Sequence, residues 1–156
     1  MKTIQIFFDD SYEKRDNSAG LGVYVVRGGQ KMYTISRGLR GSAVHLAELN
    51  ALIAALDEAK KLKFRYPNLP ILLFGDNKGV IQKLKSRLSR EENRSHMDLL
   101  SLVDETEILY DCAVSMFRGL GTSAEINWIP RKFNRADGCS KVGRQMQVKK
   151  AFDYAA

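Results

Sequence analysis

The order in which strand-like and helix-like segments follow one another is the strongest constraint on the fold of this chain. Three segments rich in β-branched and aromatic residues come first, at residues 4–8, 20–27 and 31–37. Gly28 and Gly29 stand between the second and the third, and such a pair is typical of a hairpin turn. The first quarter of the chain is therefore predicted to form three meandering strands.

The rest of the chain alternates between helix and strand patterns. Residues 46–62 carry Leu and Ile at helical spacing and predict a helix. Residues 71–74 are wholly apolar, as expected for a strand buried on both faces, and Asp76 follows closely. The same reasoning predicts a short helix around residues 80–84, a longer one over 98–117, a strand over 125–129 and a helix over 135–150.

This order, β-β-β-α-β-α-α-β-α, predicts an α/β protein with a mixed sheet and helices packed over it. The 156 residues suit one domain, which we expect to span residues 1–156. An apolar share of 44% with 28% charged residues is typical of a globular protein and excludes a disordered or fibrous one.

The charge balance points towards an anionic partner without identifying it. Twenty-five Lys and Arg stand against 18 Asp and Glu, a net charge of +7. Nucleic acid or an acidic membrane surface would suit this charge, and so would a plain role in solubility. Charge alone leaves these alternatives open.

The cysteines and the N-terminal residues indicate an intracellular protein. Cys112 and Cys139 have neither metal-knuckle nor redox-pair spacing, so we expect reduced, buried thiols. The first eight residues lead directly to Asp9 and Asp10 and include no apolar stretch suited to a signal peptide or a membrane span. The expected location is cytoplasmic.

Four acidic residues lie where a carboxylate can leave the apolar core. Asp9 ends the first strand, Glu48 falls in the first turn of a helix, Asp76 follows the buried strand and Asp137 begins the last helix. Each has an ordinary explanation as well: a turn, the helix dipole, an N-cap, or a capping box with Asn134. Their joint occurrence is what favours a shared site.

Carboxylates brought together repel one another unless a cation neutralises them. Magnesium prefers oxygen ligands, whereas this set has no His or Cys to suit zinc. Strand alternation places Asp9 and Asp10 on opposite faces, so we expect only Asp9 to serve such a site.

Several segments resemble type 1 ribonuclease H along nearly the whole chain. They are Phe8-Asp9-Asp10-Ser11, His45-Leu46-Ala47-Glu48-Leu49-Asn50-Ala51-Leu52, Leu73-Phe74-Gly75-Asp76-Asn77, Trp128-Ile129-Pro130-Arg131 and Asn134-Arg135-Ala136-Asp137. The last two are similar to the Trp-Val-Pro-Arg and Asn-x-x-Ala-Asp segment of members that lack a His in the catalytic loop. The resemblance implies a ribonuclease H-like fold, with a five-stranded mixed sheet and helices on both faces.

The same resemblance implies a metal-dependent endonuclease that hydrolyses the RNA strand of RNA/DNA hybrids. Its cofactor would be two Mg²⁺ ions, with Mn²⁺ as a substitute, held by Asp9, Glu48, Asp76 and Asp137. The expected partner is the hybrid, with no membrane and no obligate protein partner. We expect a monomer.

The chain departs from the family at positions that contact substrate. Arg131 stands where many members have a catalytic His, so it is a candidate catalytic residue, the alternative being a surface cation. Val44 and His45 replace a pair of Asn that read the hybrid, and Asp10 replaces a Gly. The predicted substrate-binding residues are Ser11, His45, Asn77, Lys83, Lys85 and Arg87, the last three resembling a basic protrusion.

Two other functions fit parts of the sequence. One is a noncatalytic nucleic-acid-binding module that keeps the fold and the basic surface. The other is a different nuclease of the same superfamily, such as a proofreading exonuclease, which would carry Asp-x-Glu on its first strand. This chain has Asp9-Asp10-Ser11 at that place.

Overall fold

The computed structural model describes residues 2–90 and 104–155. The strands are β1 (Ile4–Glu13), β2 (Ser18–Arg27), β3 (Gln30–Leu39), β4 (Ile71–Gly75) and β5 (Ala124–Trp128). The helices are α1 (Ala47–Arg65), α2 (Lys78–Ser89), α3 (Glu105–Arg118) and α4 (Asp137–Ala155), with short 3-10 turns at Gly41–Leu46 and Arg131–Phe133. The predicted strands and helices are all found, although β1 and β3 extend further than expected. Residues 98–103 of the predicted third helix lie outside the described part.

The five strands form one mixed sheet in the order β3-β2-β1-β4-β5. β1, β2 and β3 are antiparallel neighbours, whereas β4 and β5 run parallel to β1. Gly28 and Gly29 make the β2–β3 turn with φ values of 57° and 81°, a left-handed backbone that glycine adopts without strain. The predicted α/β class and mixed sheet are confirmed.

Helices cover both faces of the sheet. Ile6 and Phe8 of β1 point into the main core, where they pack with residues of α1, α2 and α3. Phe7, between them, points the other way and packs with Val26 and Ala136 below α4. Because of this alternation, side chains of β1 reach both layers, and successive residues such as Asp9 and Asp10 point to opposite faces.

α4 lies very close to β2 and β3 because glycine residues form the surface of these strands beneath the helix. A Cβ atom on Gly22 would lie 2.4 Å from the backbone nitrogen of Ser140, and one on Gly20 would lie 2.1 Å from that of Arg144. Only a residue without a side chain allows this approach. The N-terminal turns of α4 are thereby held against the end of β1.

Two expectations drawn from the sequence need comment. Cys112 is exposed on the outer side of α3, so its predicted burial is wrong, because Tyr110, Ala113 and Val114 form the buried side of that helix. Cys139 is partly buried, and both thiols are free. Within the described residues, no helix combines the length and the apolar character that crossing a membrane requires.

Candidate active site

An open pocket with several acidic residues lies beyond the end of β4, beside the part of β1 that no longer pairs with β4. Asp9 lies within β1 and not, as the sequence predicted, at its end, because β1 continues along β2 to Glu13. The pocket is lined by Asp9, Asp10, Ser11, Tyr12, Glu48, Asp76, Asn77 and Arg131. The parallel register pairs Phe7 with Phe74, and Asp9 and Asp76 each stand two residues further on. Sheet pairing thus brings these two aspartates side by side.

Asp9 is the most deeply buried of the carboxylates, with 5% of its surface exposed. The buried hydroxyl of Ser140 donates to Asp9 Oδ2 over 3.0 Å. Burial raises the pKa of Asp9 to about 7, and the charge of Asp76 adds to this effect while the Ser140 hydrogen bond opposes it. Near neutral pH, Asp9 is therefore poised between its two protonation states.

Asp10 lines the same pocket as Asp9, although strand alternation directs the two side chains to opposite faces. That Asp9 and not Asp10 serves as a metal ligand stays a prediction. The Asp10 side chain leaves β1 on the opposite face, towards Glu48, and the pocket extends across both faces of β1 beyond its last pair with β4. Burial raises the pKa of Asp10 to about 6, with Glu48 and Asp76 contributing and Arg131 opposing. Five carboxylates, not four, thus act on one another here.

Asp76 is held by Asn134 and Trp128. Asn134 Nδ2 donates to Asp76 Oδ2 over 3.3 Å and to the carbonyl of Phe8 over 2.8 Å, which ties the residue after β4 to the middle of β1. The indole Nε1 of Trp128 donates to the backbone carbonyl of Asp76 over 3.0 Å. Asn77 caps α2 by accepting from the Val80 amide, so Asp76 is left to face the pocket.

Asp137 begins α4 beside the pocket wall. Its Oδ2 lies 2.8 Å from Lys141 Nζ, and this hydrogen bond is the main reason that the pKa of Asp137 is lowered. The Nε atom of Arg131 stands 3.7 Å from Asp137 Oδ1, an atom that is buried and accepts no hydrogen bond. Asn134 accepts from the Ala136 amide instead of forming the capping box that offered an alternative explanation for Asp137.

Glu48 is more exposed than its sequence neighbours suggest. Ala47 and Leu49 are buried, whereas Glu48 is exposed and directs its charge towards the pocket, where it raises the pKa of Asp10. The first turn of α1 thus presents Glu48 on the open side of the site, opposite Asp137.

The donor set suits a hard divalent cation. Every acidic group in the pocket offers oxygen, burial and the neighbouring carboxylates raise the pKa values of Asp9 and Asp10, and Asp137 Oδ1 is buried without a hydrogen-bond partner. Within the described ranges, no three His, Cys, Asp or Glu side chains stand close enough together to hold an ion as they are. The residues fit magnesium by the chemistry of their oxygen ligands.

Ser11 and Asn77, predicted to bind substrate, line the pocket, and Ser11 Oγ accepts from Arg144 Nε. His45 is exposed within the 3-10 turn before α1 and is not among the residues that line the pocket. The structure therefore groups two of these three residues with the carboxylates.

The predicted basic residues of α2 differ in what they offer. Lys85 is exposed, and Lys83 is half exposed beside Glu107 and the ring of Tyr110. Arg87 is buried, with 6% of its side chain exposed, and it pairs with Glu107 at 2.5 Å and with Asp111 at 3.4 Å. Arg87 joins α2 to α3 and has almost no surface to present to a phosphate.

Ser140 and the structural role of Asn134 were missed from the sequence. Ser140 lies three residues after Asp137 on the same helix, a spacing that puts both on one face and was a usable signal. Asn134 was interpreted only as a helix cap, because its contacts with Phe8 and Asp76 span more than 50 residues of chain.

Comparison with solved structures identifies the fold. The ribonuclease H1 of the archaeon Halobacterium salinarum NRC-1 matches with a TM-score of 0.68 and 23% identity, covering 92% of this chain and 98% of its own. LC11-RNase H1, isolated from compost by a metagenomic approach, matches with a TM-score of 0.74 and 18% identity, covering 95% and 99%. The same protein in complex with an RNA/DNA hybrid gives 0.72 and 17%, covering 94% and 99%.

These matches and the acidic pocket define a protein with the ribonuclease H fold. The reverse transcriptase-like family matches residues 7–141, which include all the carboxylates of the pocket. The chain belongs to the reverse transcriptase-like family. No curated protein matches it in sequence.

Proposed function

We propose that this protein is a ribonuclease H, an endonuclease that hydrolyses the RNA strand of RNA/DNA hybrids with divalent metal ions. The observation that carries the proposal is the meeting of Asp9, Glu48 and Asp76 in one pocket, with Asp137 beside Arg131, which lines the pocket. Nothing in an ordinary fold requires such a costly concentration of negative charge. Binding of metal ions and of the substrate phosphate would account for this concentration of carboxylates.

Asp9, Glu48, Asp76 and Asp137 would hold two Mg²⁺ ions, or Mn²⁺ in their place. When bound, such ions supply Lewis acidity for hydrolysis of a phosphodiester bond. Ser140 orients Asp9, and Asn134 orients Asp76, so that both carboxylates face the pocket. Asn134 also donates to the Phe8 carbonyl and so fixes the distance between β1 and the residue that follows β4.

Arg131 is the candidate that replaces the catalytic-loop His. Its guanidinium lines the pocket, is 73% exposed and stands beside Asp137, so it can meet a phosphate of the bound strand. It would attract substrate and stabilise negative charge, which a guanidinium group can do without exchanging a proton.

Two kinds of support favour the hybrid as substrate. The family match covers most of the chain, and a structure with the same fold is known in complex with an RNA/DNA hybrid. Exposed Lys85 and half-exposed Lys83 supply positive charge on α2, beyond Asn77 at the pocket.

All the named carboxylates come from one chain, so the site needs no second subunit, and we propose a monomer without an obligate protein partner. The cytoplasmic location stays a prediction.

The decisive experiment offers the purified protein a labelled RNA/DNA hybrid, duplex RNA and duplex DNA, with Mg²⁺, with Mn²⁺ or with chelator. We expect cleavage of the RNA strand of the hybrid only, and only with metal. Asp9→Asn and Asp76→Asn should abolish cleavage while hybrid binding is largely kept.

Asp57→Asn is the matched control, because Asp57 is an exposed aspartate on α1, outside the pocket, and pairs with Lys61. It should cleave at the wild-type rate. Hybrid binding without metal-dependent cleavage by the wild type would instead support the noncatalytic module, and cleavage from DNA ends would support the exonuclease.

A further inference from the structure

Two large aromatic side chains stand exposed beside the acidic pocket. Trp128, at the end of β5, is 45% exposed, and Phe133, in the 3-10 turn that follows, is 61% exposed. Both belong to the segment that connects β5 to α4 and that also supplies Arg131 to the pocket. Exposed aromatic groups next to a functional pocket commonly mark a binding surface.

Both rings belong to a segment that is fixed to the pocket. The indole of Trp128 donates to the backbone carbonyl of Asp76, so its ring position is coupled to a candidate metal ligand. The Phe133 amide donates to the Pro130 carbonyl, and the next residue, Asn134, is buried and bonded to β1. The segment that carries the rings is therefore held in place on both sides and is not a free loop.

Positive charge accompanies each ring. The Nζ atom of Lys78 lies 5.7 Å from the centre of the Trp128 ring, and that of Lys132 lies 5.0 Å from the centre of Phe133. Arg131 lies between the two aromatic residues in sequence and is 73% exposed. We call these five residues, Lys78, Trp128, Arg131, Lys132 and Phe133, the aromatic rim.

We propose that the aromatic rim binds the sugar–phosphate backbone of an RNA/DNA hybrid strand where it runs past the carboxylate pocket. The inference rests on the proposed function and adds to it the residues that hold this strand. The rings would pack against sugars, because the bases of a hybrid are already paired and stacked. The three cations would meet the phosphates, whose negative charge complements the rim.

The chain offers a direct probe of this contact, because Trp128 is its only tryptophan. The Asp9→Asn protein, which should bind without cleaving, is titrated with unlabelled hybrid while tryptophan fluorescence is recorded. We expect the fluorescence to change in step with binding measured independently by the anisotropy of a labelled hybrid. Saturated binding by anisotropy with unchanged fluorescence would overturn the proposal.

Variants test the second ring and separate contact from folding. In the Asp9→Asn background, Phe133→Ala should weaken hybrid binding about 5- to 10-fold, the scale of one lost aromatic contact with a nucleotide. Phe64→Ala is the matched control, because Phe64 is 92% exposed on α1 and should bind as before. Circular dichroism of each variant checks that the fold is kept, and Phe133→Tyr, which keeps the ring, should restore affinity.

Wild-type hybrid affinity in a folded Phe133→Ala protein would overturn the proposal. So would equal affinity for the single RNA or DNA strand, since that would indicate stacking on unpaired bases. Binding is read here without cleavage. A rim that binds the hybrid in a protein that never cleaves would support this inference and overturn the proposed function.

Discussion

Asp9 and Asp10 are neighbours in the chain that reach one pocket from opposite faces of a strand. Asp9 points towards Ser140 and α4, whereas Asp10 points towards Glu48 and α1. Both pKa values are raised mainly by burial, and the charges of Asp76, Asp10 and Asp137 raise the pKa of Asp9 further. At the residue scale, the fold holds carboxylates that repel one another in this pocket, and this repulsion costs stability.

Removing the charge of Asp10 should stabilise the metal-free protein. Asp10→Asn relieves repulsion with Glu48 and Asp76 and avoids the burial of a charged group, so we expect a gain on the order of 2 kcal/mol in the free energy of unfolding at pH 8. Urea unfolding at pH 8 in the presence of a chelator measures it. Asp57→Asn serves as the control, and a loss of stability in Asp10→Asn would contradict the assignment.

At the scale of elements, the packing of α4 on β2 and β3 determines the geometry of the site. The glycines beneath α4 allow its N-terminal turns, with Asp137 and Ser140, to approach the end of β1. On the other face, buried Arg87 joins α2 to α3. Two pairs of substitutions test these contacts.

Gly22→Ala should be strongly destabilising. The added Cβ would lie 2.4 Å from the Ser140 backbone nitrogen, so α4 must move, and we expect a loss of roughly 2–3 kcal/mol together with a large loss of activity. Gly138→Ala is the control, because a Cβ there meets nothing within 4 Å and α4 gains a better helix former. Equal stabilities of the two variants, measured by urea unfolding, would argue against the tight packing.

Arg87→Ala and Lys85→Ala should separate a structural cation from a binding one. Loss of Arg87 removes the buried cation that neutralises Glu107 and Asp111, and we expect a cost of about 2–4 kcal/mol in stability. Lys85→Ala should leave stability unchanged but weaken hybrid binding and reduce its salt dependence. Thermal unfolding and binding at two salt concentrations measure these effects. The reverse pattern would return Arg87 to the binding surface.

At the scale of the whole molecule, we expect the acidic pocket to make stability depend on pH and, under the proposed function, on divalent metal. In the unfolded chain Asp9 and Asp10 titrate near 3.8, whereas in the folded protein they titrate at about 7 and about 6. The folded state therefore binds protons more tightly between these values. Its stability falls as the pH rises from about 4 to about 7, and it stays low above that range.

The metal-free protein should accordingly be more stable at pH 5 than at pH 8. Added Mg²⁺ or Mn²⁺ should raise the melting temperature more at pH 8, where the carboxylates are ionised and free to bind a cation. Calorimetry at both pH values, with metal and with chelator, measures this difference. The Asp9→Asn/Asp10→Asn double variant should lose most of the pH dependence. A stability that increased from pH 5 to pH 8 without metal would contradict the assigned pKa values.

The sequence by itself determined the order and type of the elements. Apolar periodicity and turn glycines are local properties, so the three-strand meander, α1 and the buried β4 followed from residues close together in the chain. The resemblance to ribonuclease H also selected Asp9, Glu48, Asp76 and Asp137 before any geometry was known. No local sequence pattern could show that these four residues lie around one site.

Only the tertiary structure decided which groups share the pocket and how they are charged. Alternation along β1 separated Asp10 from Asp9, yet the pocket extends across both faces of the strand and includes both. The resemblance placed Arg87 in a basic protrusion, but packing of α2 against α3 buried it. Burial, ion pairing and pKa depend on distances between residues far apart in sequence. Those distances are set by how the layers pack, and the pattern of any single segment does not contain them.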